Sequence, residues 1–383
     1  MNKLAINGGT PVSPHKISLV KPVFSEKDET DIARILRSAY VRQGPITKKL
    51  EEVYAEKVGS KYAYAVSNGT AALHLSYLST LKPGDEVIAP AFTFIATVST
   101  VHYANCTPVL ADVDPDTFLI DPEDVKEKIT SKTRALAPVH LFGNACNMNA
   151  LGEIAEDHGL VLINDCAQAH GTEYNGKDLG SYETLNCYSF YPTKTLTMGE
   201  GGIVTTNNKD LYDKGCLLRS HGDDARYHHV IFGLNYRTTD IASAIGLNQV
   251  AKLDEFLLKR RYIGMKLRDA LNRVDGVTPQ KIEPGANHSY SYFSVRVEVE
   301  ELKCSRDEFM NALMAENIDC AVHYPTALTM QPVIKEIYNP ASCPVSENLA
   351  DRILSIPLHP FINEKEINYI VEGVEKVVDY YHR

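Results

Sequence analysis

One lysine of this sequence stands where it could act as a nucleophile. Lys194 lies between an aromatic-rich run that predicts a strand and a glycine cluster that predicts a turn, within the segment 187–202. A lysine amine attacks a carbonyl carbon only when it is unprotonated and held in place, and partial burial beside a bound cofactor can provide both conditions. The alternative interpretation is a surface lysine beside a hairpin, and other segments of the chain must decide between the two.

The second chemical feature is a candidate phosphate site at residues 67–70, which follow an apolar run and begin a helix predicted over 70–81. Gly69 lets the backbone approach a ligand, and the first-turn amides together with the helix dipole favour an anion. Thr70 adds a hydroxyl donor, and the hydroxyl of Ser189 suits a phosphate oxygen as well. The alternative is an ordinary N-cap with an Asn-Gly turn.

The third feature is a set of residues that could hold a heteroaromatic ring. Asp165 ends the apolar run 160–164, where a carboxylate is costly unless it is paired, and a protonated pyridine nitrogen would pair with it. Gln168 could reach a ring oxygen, and Phe94, just past a strand predicted at 86–90, could stack on the ring. The alternatives are an N-capping aspartate and a core phenylalanine.

These groups together match the parts of one cofactor. An amine suits an aldehyde carbon, a helix N-terminus with hydroxyls suits a phosphate, and a carboxylate with an aromatic side chain suits a pyridine ring. Our hypothesis is that Lys194 forms a Schiff base with pyridoxal phosphate (PLP). The candidates follow predicted strands, and open α/β sheets bind ligands beyond the carboxyl ends of their strands.

The elements that must position these residues follow an α/β pattern. Short unbroken apolar runs alternate with segments of helical spacing, which predicts a mostly parallel sheet covered by helices on both faces. Helices are also expected over 26–38, with Ser25 as the N-cap, near 47–57 and over 148–158. The runs predicted as strands are 61–66, 86–90, 107–111, 134–140 and 160–164.

The length of 383 residues exceeds what one simple core holds, so at least two domains are expected. We predict an N-terminal arm at 1–25, a large PLP-binding domain at 26–250 and a smaller C-terminal α+β domain at 251–383. A long helical stretch at 238–272 is expected to link the two domains. The elements expected in the smaller domain are a strand at 291–298, a helix at 306–316, a possible strand at 318–323 and a helix at 364–380.

Composition excludes several classes of protein. The formal net charge of −10 and the lack of a basic cluster disfavour a nucleic-acid binder. No apolar run approaches the roughly 18 residues that would span a bilayer, and the N-terminus does not resemble a signal peptide. The eight cysteines form no CxxC pair, so no metal site is expected. We expect a protein of the reducing cytoplasm.

The chain resembles the PLP-dependent sugar aminotransferases of the DegT/StrS type over essentially its whole length. The matching segments include SNGTAALHL (67–75), PGDEVIAPAFTFIAT (83–97), INDCAQAHGTEYNGKDLG (163–180) and SFYPTKTLTMGEGG (189–202). The resemblance implies PLP-transferase fold type I, the aspartate aminotransferase fold. In that fold a large domain with a mostly parallel mixed sheet flanked by helices is joined to a smaller C-terminal α+β domain.

The resemblance also implies roles for individual residues at the cofactor ring. Lys194 matches the lysine that carries PLP and moves the proton between the substrate carbon and the cofactor. Asp165 matches the partner of the pyridine nitrogen, Gln168 the residue at the ring hydroxyl, and Phe94 the stacking aromatic.

Further matches concern the phosphate and the substrate. The residues matching the phosphate cradle are Gly69, Thr70, Ala71 and Ser189. Asn235 matches a residue that reaches the phosphate of the neighbouring subunit's cofactor, which implies a homodimer with shared active sites. His323 and Tyr324 match the region where the small domain approaches the substrate.

The expected reaction is transfer of an amino group from glutamate or glutamine to a keto-sugar, which we expect to be nucleotide-linked, in amino-sugar, polysaccharide or secondary-metabolite biosynthesis. Some relatives carry histidine in place of the lysine and dehydrate sugars, so Lys194 favours transamination over a PLP-dependent dehydratase. Two competing functions stay open. One is an aminotransferase for a cyclic ketone of the inosose type, because the segment LAINGGTPV (4–12) resembles the N-terminal arm of that branch. The second is a regulatory or sensor relative that no longer catalyses.

Overall fold

The computed structural model describes residues 3–382, so the first two residues of the predicted arm and the last residue of the predicted C-terminal domain lie outside it. The α-helices, numbered along the chain, are α1 (Glu26–Ser38), α2 (Pro45–Val58), α3 (Gly69–Thr80), α4 (Ala96–Tyr103), α5 (Pro122–Glu127), α6 (Met148–His158), α7 (Lys209–Arg219), α8 (Asp240–Val250), α9 (Leu253–Leu271), α10 (Val299–Leu302), α11 (Arg306–Ala315), α12 (Pro332–Tyr338), α13 (Pro344–Arg352) and α14 (Glu364–Tyr381). Short 3₁₀ helices lie at Ala5–Asn7, Leu141–Gly143, Leu179–Ser181 and Leu328–Met330.

The strands are β1 (Tyr62–Val66), β2 (Glu86–Pro90), β3 (Thr107–Ala111), β4 (Thr133–Leu136), β5 (Val161–Asp165), β6 (Glu173–Tyr174), β7 (Lys177–Asp178), β8 (Leu185–Ser189), β9 (Gly202–Thr206), β10 (Asp223–Ala225), β11 (His228–His229), β12 (Val277–Pro279), β13 (Ala286–Asn287), β14 (Phe293–Val297) and β15 (Ile353–Ile356). Seven of them form one large sheet in the order β1-β9-β8-β5-β4-β2-β3. A smaller sheet has the order β12-β14-β15 and is antiparallel throughout.

Strand direction in the large sheet brings the candidate residues to one edge. β9 pairs antiparallel with both β1 and β8, while the remaining neighbours pair in parallel. All strands except β9 therefore run the same way, and their carboxyl ends meet at a single edge. This mixed, mostly parallel sheet confirms the predicted α/β class.

Side chains that alternate along the strands build a core on each face of the large sheet. On β1, Ala63 and Ala65 pack into one hydrophobic cluster, whereas Tyr64 and Val66 pack into the other. Because successive residues of a strand point to opposite faces, this division shows that β1 is buried on both sides. Helices therefore cover both faces, as expected from the unbroken apolar run.

A third hydrophobic cluster surrounds the small sheet and includes residues of α11 and α14. The N-terminal segment belongs to this cluster through Leu4 and Ile17. Glu316 ties the segment down, because its buried carboxylate accepts hydrogen bonds from the amides of Ala5 (2.8 Å) and Val12 (2.9 Å). The predicted division of the chain at residues 250 and 251 stays a prediction, since α9 contributes side chains to two of the three clusters.

Three expectations about elements were wrong. The helical stretch 238–272 is two helices, because α8 packs on α1 and α2 while α9 turns away to pack on β12 and α14. The segment 318–323 is not a strand, since it makes only isolated bridges, from Ile318 to Ile17 and from Ala321 to Ser355. The run 134–140 yields only the four residues of β4, beyond which a single bridge joins the chain to β5.

Membrane insertion through a helix finds no support in the described part of the chain. None of the helices between residues 3 and 382 combines the length and the apolar character needed to cross a bilayer.

Candidate active site

The segments that follow β1, β2, β5 and β8 surround one cavity of about 470 Å³. Most of the residues expected from the sequence line it. These are Gly69, Thr70, Phe94, Asp165, Gln168, Ser189, Lys194, His323 and Tyr324. Residues more than 250 positions apart in the chain thus share one concave site.

Two expected residues do not line this cavity. Ala71 is buried in the first turn of α3, where its amide donates to the Asn68 side chain at 2.8 Å. That amide is therefore already engaged. Asn235 is exposed and pairs with Ser220 on a hairpin outside the cavity, so it does not serve the site of its own chain.

The register of β9 explains why the phosphate candidates meet. Gly202 opposes Val66 on one side and Ser189 on the other, so the chain segments that leave β1 and β8 flank the same glycine. A side chain at Gly202 would collide with the backbone of Asn68, because its Cβ would lie 2.4 Å from the carbonyl oxygen. Glycine at this position allows the segment before α3 to sit against Ser189.

Lys194 lies in the turn that follows β8. Its amide donates to the carbonyl oxygen of Tyr191 at 2.9 Å, which closes the turn, and Lys194 lines the cavity. Burial lowers the pKa of the amine to about 8, against the opposing effect of the Asp165 carboxylate. Within residues 3–382 the Nζ atom makes no hydrogen bond and no ion pair, so the amine is available for reaction.

Asp165 is the buried carboxylate at the end of β5. Oδ2 accepts a hydrogen bond from the Thr97 hydroxyl at 2.8 Å, and Oδ1 accepts one from the Ala167 amide at 3.1 Å. Burial raises the pKa of Asp165, while these two bonds and the charge of Lys194 oppose that rise. The Thr97 hydroxyl uses its hydrogen in the bond to Asp165. In the 3.3 Å contact between the Thr93 and Thr97 hydroxyls, Thr93 is therefore the donor.

Gln168 has a fixed amide orientation. Its Oε1 must accept the backbone N–H of Phe142 at 2.8 Å, and its Nε2 then donates to the Tyr324 hydroxyl at 3.0 Å. The Tyr324 ring lies 5.9 Å from that of Phe94, whose side chain is 53% exposed. One aromatic surface at the mouth of the cavity is therefore open to a flat ligand.

His323 reaches the cavity from the segment that precedes Tyr324. Its Nδ1 lies 3.0 Å from the Ser355 hydroxyl of β15, and its ring packs 4.5 Å from that of Tyr292. Burial lowers the pKa of the imidazole to about 4, so His323 is neutral near pH 7. The small sheet therefore reaches the site, through neutral polar groups.

Sequence reasoning missed several residues that line the cavity or support it. Thr97 is the most informative of them, because it lies on the first turn of α4, three residues after Phe94 and within the matched segment 83–97. The available signal was a hydroxyl residue three positions after the candidate ring-stacking residue, within a matched segment. The missed residues that line the cavity are Leu73, Thr93, Ala96, Val139, Ala167, Tyr191, Thr193, Glu200 and Tyr292.

The residues present fit PLP. Gly69 would leave room for a phosphate beside Ser189, because a Cβ at position 69 would lie 2.8 Å from the Cβ of Ser189. In the described part of the chain, the Ser189 hydroxyl makes a single long hydrogen bond, accepted from the Tyr191 amide at 3.4 Å, so its hydrogen can be donated to a ligand. The amine of Lys194, which has no partner within residues 3–382, and the buried carboxylate of Asp165 would suit an aldehyde and a pyridine nitrogen. No cluster of three or more potential metal ligands occurs within residues 3–382.

Comparison with known proteins agrees with this chemistry. A model of the DegT/DnrJ/EryC1/StrS aminotransferase family matches residues 22–375 of the chain. The GDP-perosamine synthase of Escherichia coli O157:H7 is 34% identical over 365 residues, covering 94% of this chain and 98% of that protein. A pleiotropic regulatory protein of Geobacillus stearothermophilus is 36% identical over 353 residues, covering 91% of this chain and 92% of that protein. The solved structure of S. venezuelae DesV has a TM-score of 0.91 at 31% identity, covering 95% of this chain and 99% of that chain.

Gly69→Ala should weaken the binding of PLP to the apoprotein at least about tenfold, because the new methyl group must displace the Ser189 backbone or side chain. Titration of cofactor absorbance or fluorescence measures the affinity. Gly152→Ala is the matched control, since Gly152 lies in α6 with nothing within 4 Å of an added Cβ. Equal affinities for the two variants would contradict the proposed cradle.

Thr97→Val should weaken PLP binding about tenfold, with a greater loss at pH 6 than at pH 8. Removing the hydroxyl donor raises the pKa of Asp165 further, so a larger fraction of the carboxyl is neutral at the lower pH and cannot pair with a cation. Thr100→Val is the control, because the Thr100 hydroxyl bonds only a backbone carbonyl of the same helix. A loss independent of pH would argue against this role of Thr97.

Proposed function

Because the chain belongs to the DegT/DnrJ/EryC1/StrS aminotransferase family, we propose that it transfers an amino group from glutamate or glutamine to a nucleotide-linked keto-sugar. The membership itself makes the chain a PLP-dependent sugar aminotransferase with the corresponding fold. The nucleotide link is supported by the likeness to a GDP-perosamine synthase. The product would then enter amino-sugar biosynthesis.

The observation that carries the proposal is the placement of Lys194 and Asp165 in one cavity. When bound, PLP supplies an aldehyde carbon and a ring that takes up negative charge from a carbon atom. Asp165, held by Thr97 and Ala167, supplies the negative charge that keeps a ring nitrogen protonated. Gln168 and Phe94 orient the ring, and Gly69 with Ser189 binds the phosphate.

Lys194 moves the proton at the reacting carbon of the substrate. A pKa of about 8 places the amine near the working range of a general base, because a useful fraction is unprotonated close to neutral pH. An exposed lysine, with its pKa above about 10, would be almost wholly protonated there. The burial that shifts the pKa also keeps water from the proton in transit.

The remaining lining of the cavity suits a sugar. Tyr191, Thr193 and Tyr292 add hydroxyl groups to the neutral imidazole of His323. Such groups can donate and accept hydrogen bonds with the hydroxyls of a hexose. A volume of about 470 Å³ lies within the range of pockets that hold cofactors and small substrates.

We also propose that the enzyme is a homodimer in which Asn235 completes the partner's site. Asn235 is exposed on a hairpin outside the cavity of its own chain, and the hairpin residues Tyr227 and Phe232 are 79% and fully exposed. Large apolar side chains exposed together are typical of a surface that a partner covers. Three arginines, Arg42, Arg226 and Arg237, line a depression of about 690 Å³ beside this hairpin and would face an anionic ligand of the partner.

The competing functions are less well supported. A regulatory relative without catalysis predicts a damaged site, whereas Lys194, Asp165 and the cradle are all in place. The arm 4–12 packs on the small-sheet cluster and away from the cavity, so its likeness to inosose aminotransferases carries no information on the substrate. The proposed cytoplasmic location is supported by the eight cysteines, all of which are free thiols.

Lys194→Ala should lower transamination about 100-fold or more, because it removes the buried amine that we propose moves the proton at the substrate carbon. The assay follows amine formation on a panel of nucleotide-linked keto-sugars and inososes, with glutamate or glutamine as donor. Lys209→Ala is the control, since Lys209 pairs with Asp213 on the surface of α7. Turnover of inososes alone would overturn the proposed substrate, and release of ammonia in place of amine transfer would indicate a dehydratase.

The shared site predicts complementation between two variants at a PLP concentration that leaves Asn235→Ala largely unloaded. Asn235→Ala should weaken PLP binding about tenfold, and mixing it with Lys194→Ala at that concentration should restore up to about one quarter of the wild-type activity. Half of the dimers would be mixed, and one of the two sites in each would carry both intact residues. Mixing Asn235→Ala with a Lys194→Ala/Asn235→Ala double variant should restore nothing, because no chain in that mixture carries Asn235. If the first mixture also stays inactive, Asn235 does not act across a dimer.

A further inference from the structure

His170 is a fully buried imidazole that has no part in the reaction described above. It follows Asp165 by five residues but does not line the cavity. Its Nε2 lies 2.8 Å from the carbonyl oxygen of Ser189, and its Nδ1 lies 2.8 Å from the hydroxyl of Tyr54. Three separate segments therefore meet at this ring: α2, the chain after β5 and the end of β8.

The two partners determine which nitrogen of His170 carries the hydrogen. A carbonyl oxygen only accepts hydrogen bonds, so Nε2 must donate to Ser189. Burial, with a smaller contribution from the charge of Lys194, lowers the pKa of the His170 imidazole to about 4, so near pH 7 Nδ1 carries a lone pair. Tyr54 therefore donates its hydroxyl hydrogen to Nδ1 and fixes the tautomer.

Aromatic packing holds the same ring in place. The centroid of His170 lies 4.7 Å from that of Phe190 and 5.2 Å from that of Tyr188, the residues on either side of Ser189. Tyr54 in turn packs against both aromatic rings, at 5.6 Å and 5.2 Å. Because all these side chains are fully buried, the imidazole has little freedom to turn away from the Ser189 carbonyl.

Ser189 joins the two halves of the cofactor site. Its side chain packs against Gly69 at the phosphate cradle, while the backbone after it forms the turn that ends at Lys194. A shift of the Ser189 peptide would move the hydroxyl and the lysine together. Small displacements of the groups at a reacting centre lower affinity and rate, even when the change that causes them lies away from that centre.

We propose that His170 is a positioning residue for the PLP site: Tyr54 fixes its tautomer, and its Nε2–H fixes the Ser189 peptide and thereby both the phosphate-binding hydroxyl and the Lys194 turn. This inference rests on the proposed function only in requiring that the site binds PLP, the cofactor of the family. Because PLP binding needs no sugar, its test does not depend on the identity of the substrate.

The test compares His170→Phe with His170→Gln in the full-length apoprotein. Phenylalanine fills the space but leaves the buried Ser189 carbonyl without its donor, so PLP affinity should fall about tenfold. Glutamine can donate through its Nε2 and accept from Tyr54 through its Oε1, and it should restore the affinity to within about threefold of the wild type. The pH titration of the bound cofactor's visible absorbance should shift for phenylalanine and return for glutamine, since it reports the placement of Lys194.

A second variant keeps the proposal testable if His170→Phe does not fold. Tyr54→Phe leaves the His170 ring and its packing intact but frees the tautomer, so affinity should fall about threefold and the absorbance titration should shift in the same direction. Tyr188→Phe is the matched control, because the buried Tyr188 hydroxyl has no hydrogen-bond partner within residues 3–382. It should bind PLP like the wild type.

Two outcomes would overturn the proposal. One is that His170→Phe binds PLP with wild-type affinity and an unshifted absorbance titration. The other is that His170→Gln recovers the melting temperature of the apoprotein but neither the affinity nor the titration, which would make His170 a packing residue only.

Discussion

Burial of an amine and a carboxylate in the same cavity is the interaction on which this structure depends. Removal from water disfavours both charges, which lowers the pKa of Lys194 and raises the pKa of Asp165. Each group partly restores the charge of the other. The pKa values of both groups are therefore shifted towards neutral pH. A cationic ring bound in this cavity would have a negatively charged carboxylate and an amine that can lose its proton as neighbours.

The strand directions of the large sheet bring the functional groups to one edge. Parallel strands deliver Asp165 from β5 and Ser189 from β8 to the same edge, and the reversed strand β9 places the glycine of position 202 between two functional segments. Glycine at 69 and 202 removes side chains where backbone segments approach within collision distance. The hydroxyl of Thr97 holds the Asp165 carboxylate, and, as we propose, the imidazole of His170 holds the Ser189 peptide.

Local signals in the sequence were reliable where a short segment decides its own structure. Ser25 is the expected N-cap and forms a capping box with Asp28, and the strands at 86–90 and 107–111 have the predicted bounds. The stretch 238–272 was misread because only Ala251 and Lys252 separate the two helices, without an intervening glycine or proline. Only the separate packing surfaces of α8 and α9 reveal the break.

The sequence by itself determined the α/β class and identified the amine at 194, the carboxylate at 165 and the glycine at 69 as candidates, because residue type and position after an apolar run carry that information. Tertiary structure decided which of these groups share one cavity, the shifted pKa of Lys194, and the roles of Thr97 and His323. It also placed Asn235 outside the cavity of its own chain. The physical reason is that desolvation and hydrogen bonding depend on neighbours distant in sequence, and spacing along a chain does not encode which distant groups will exclude water from one another.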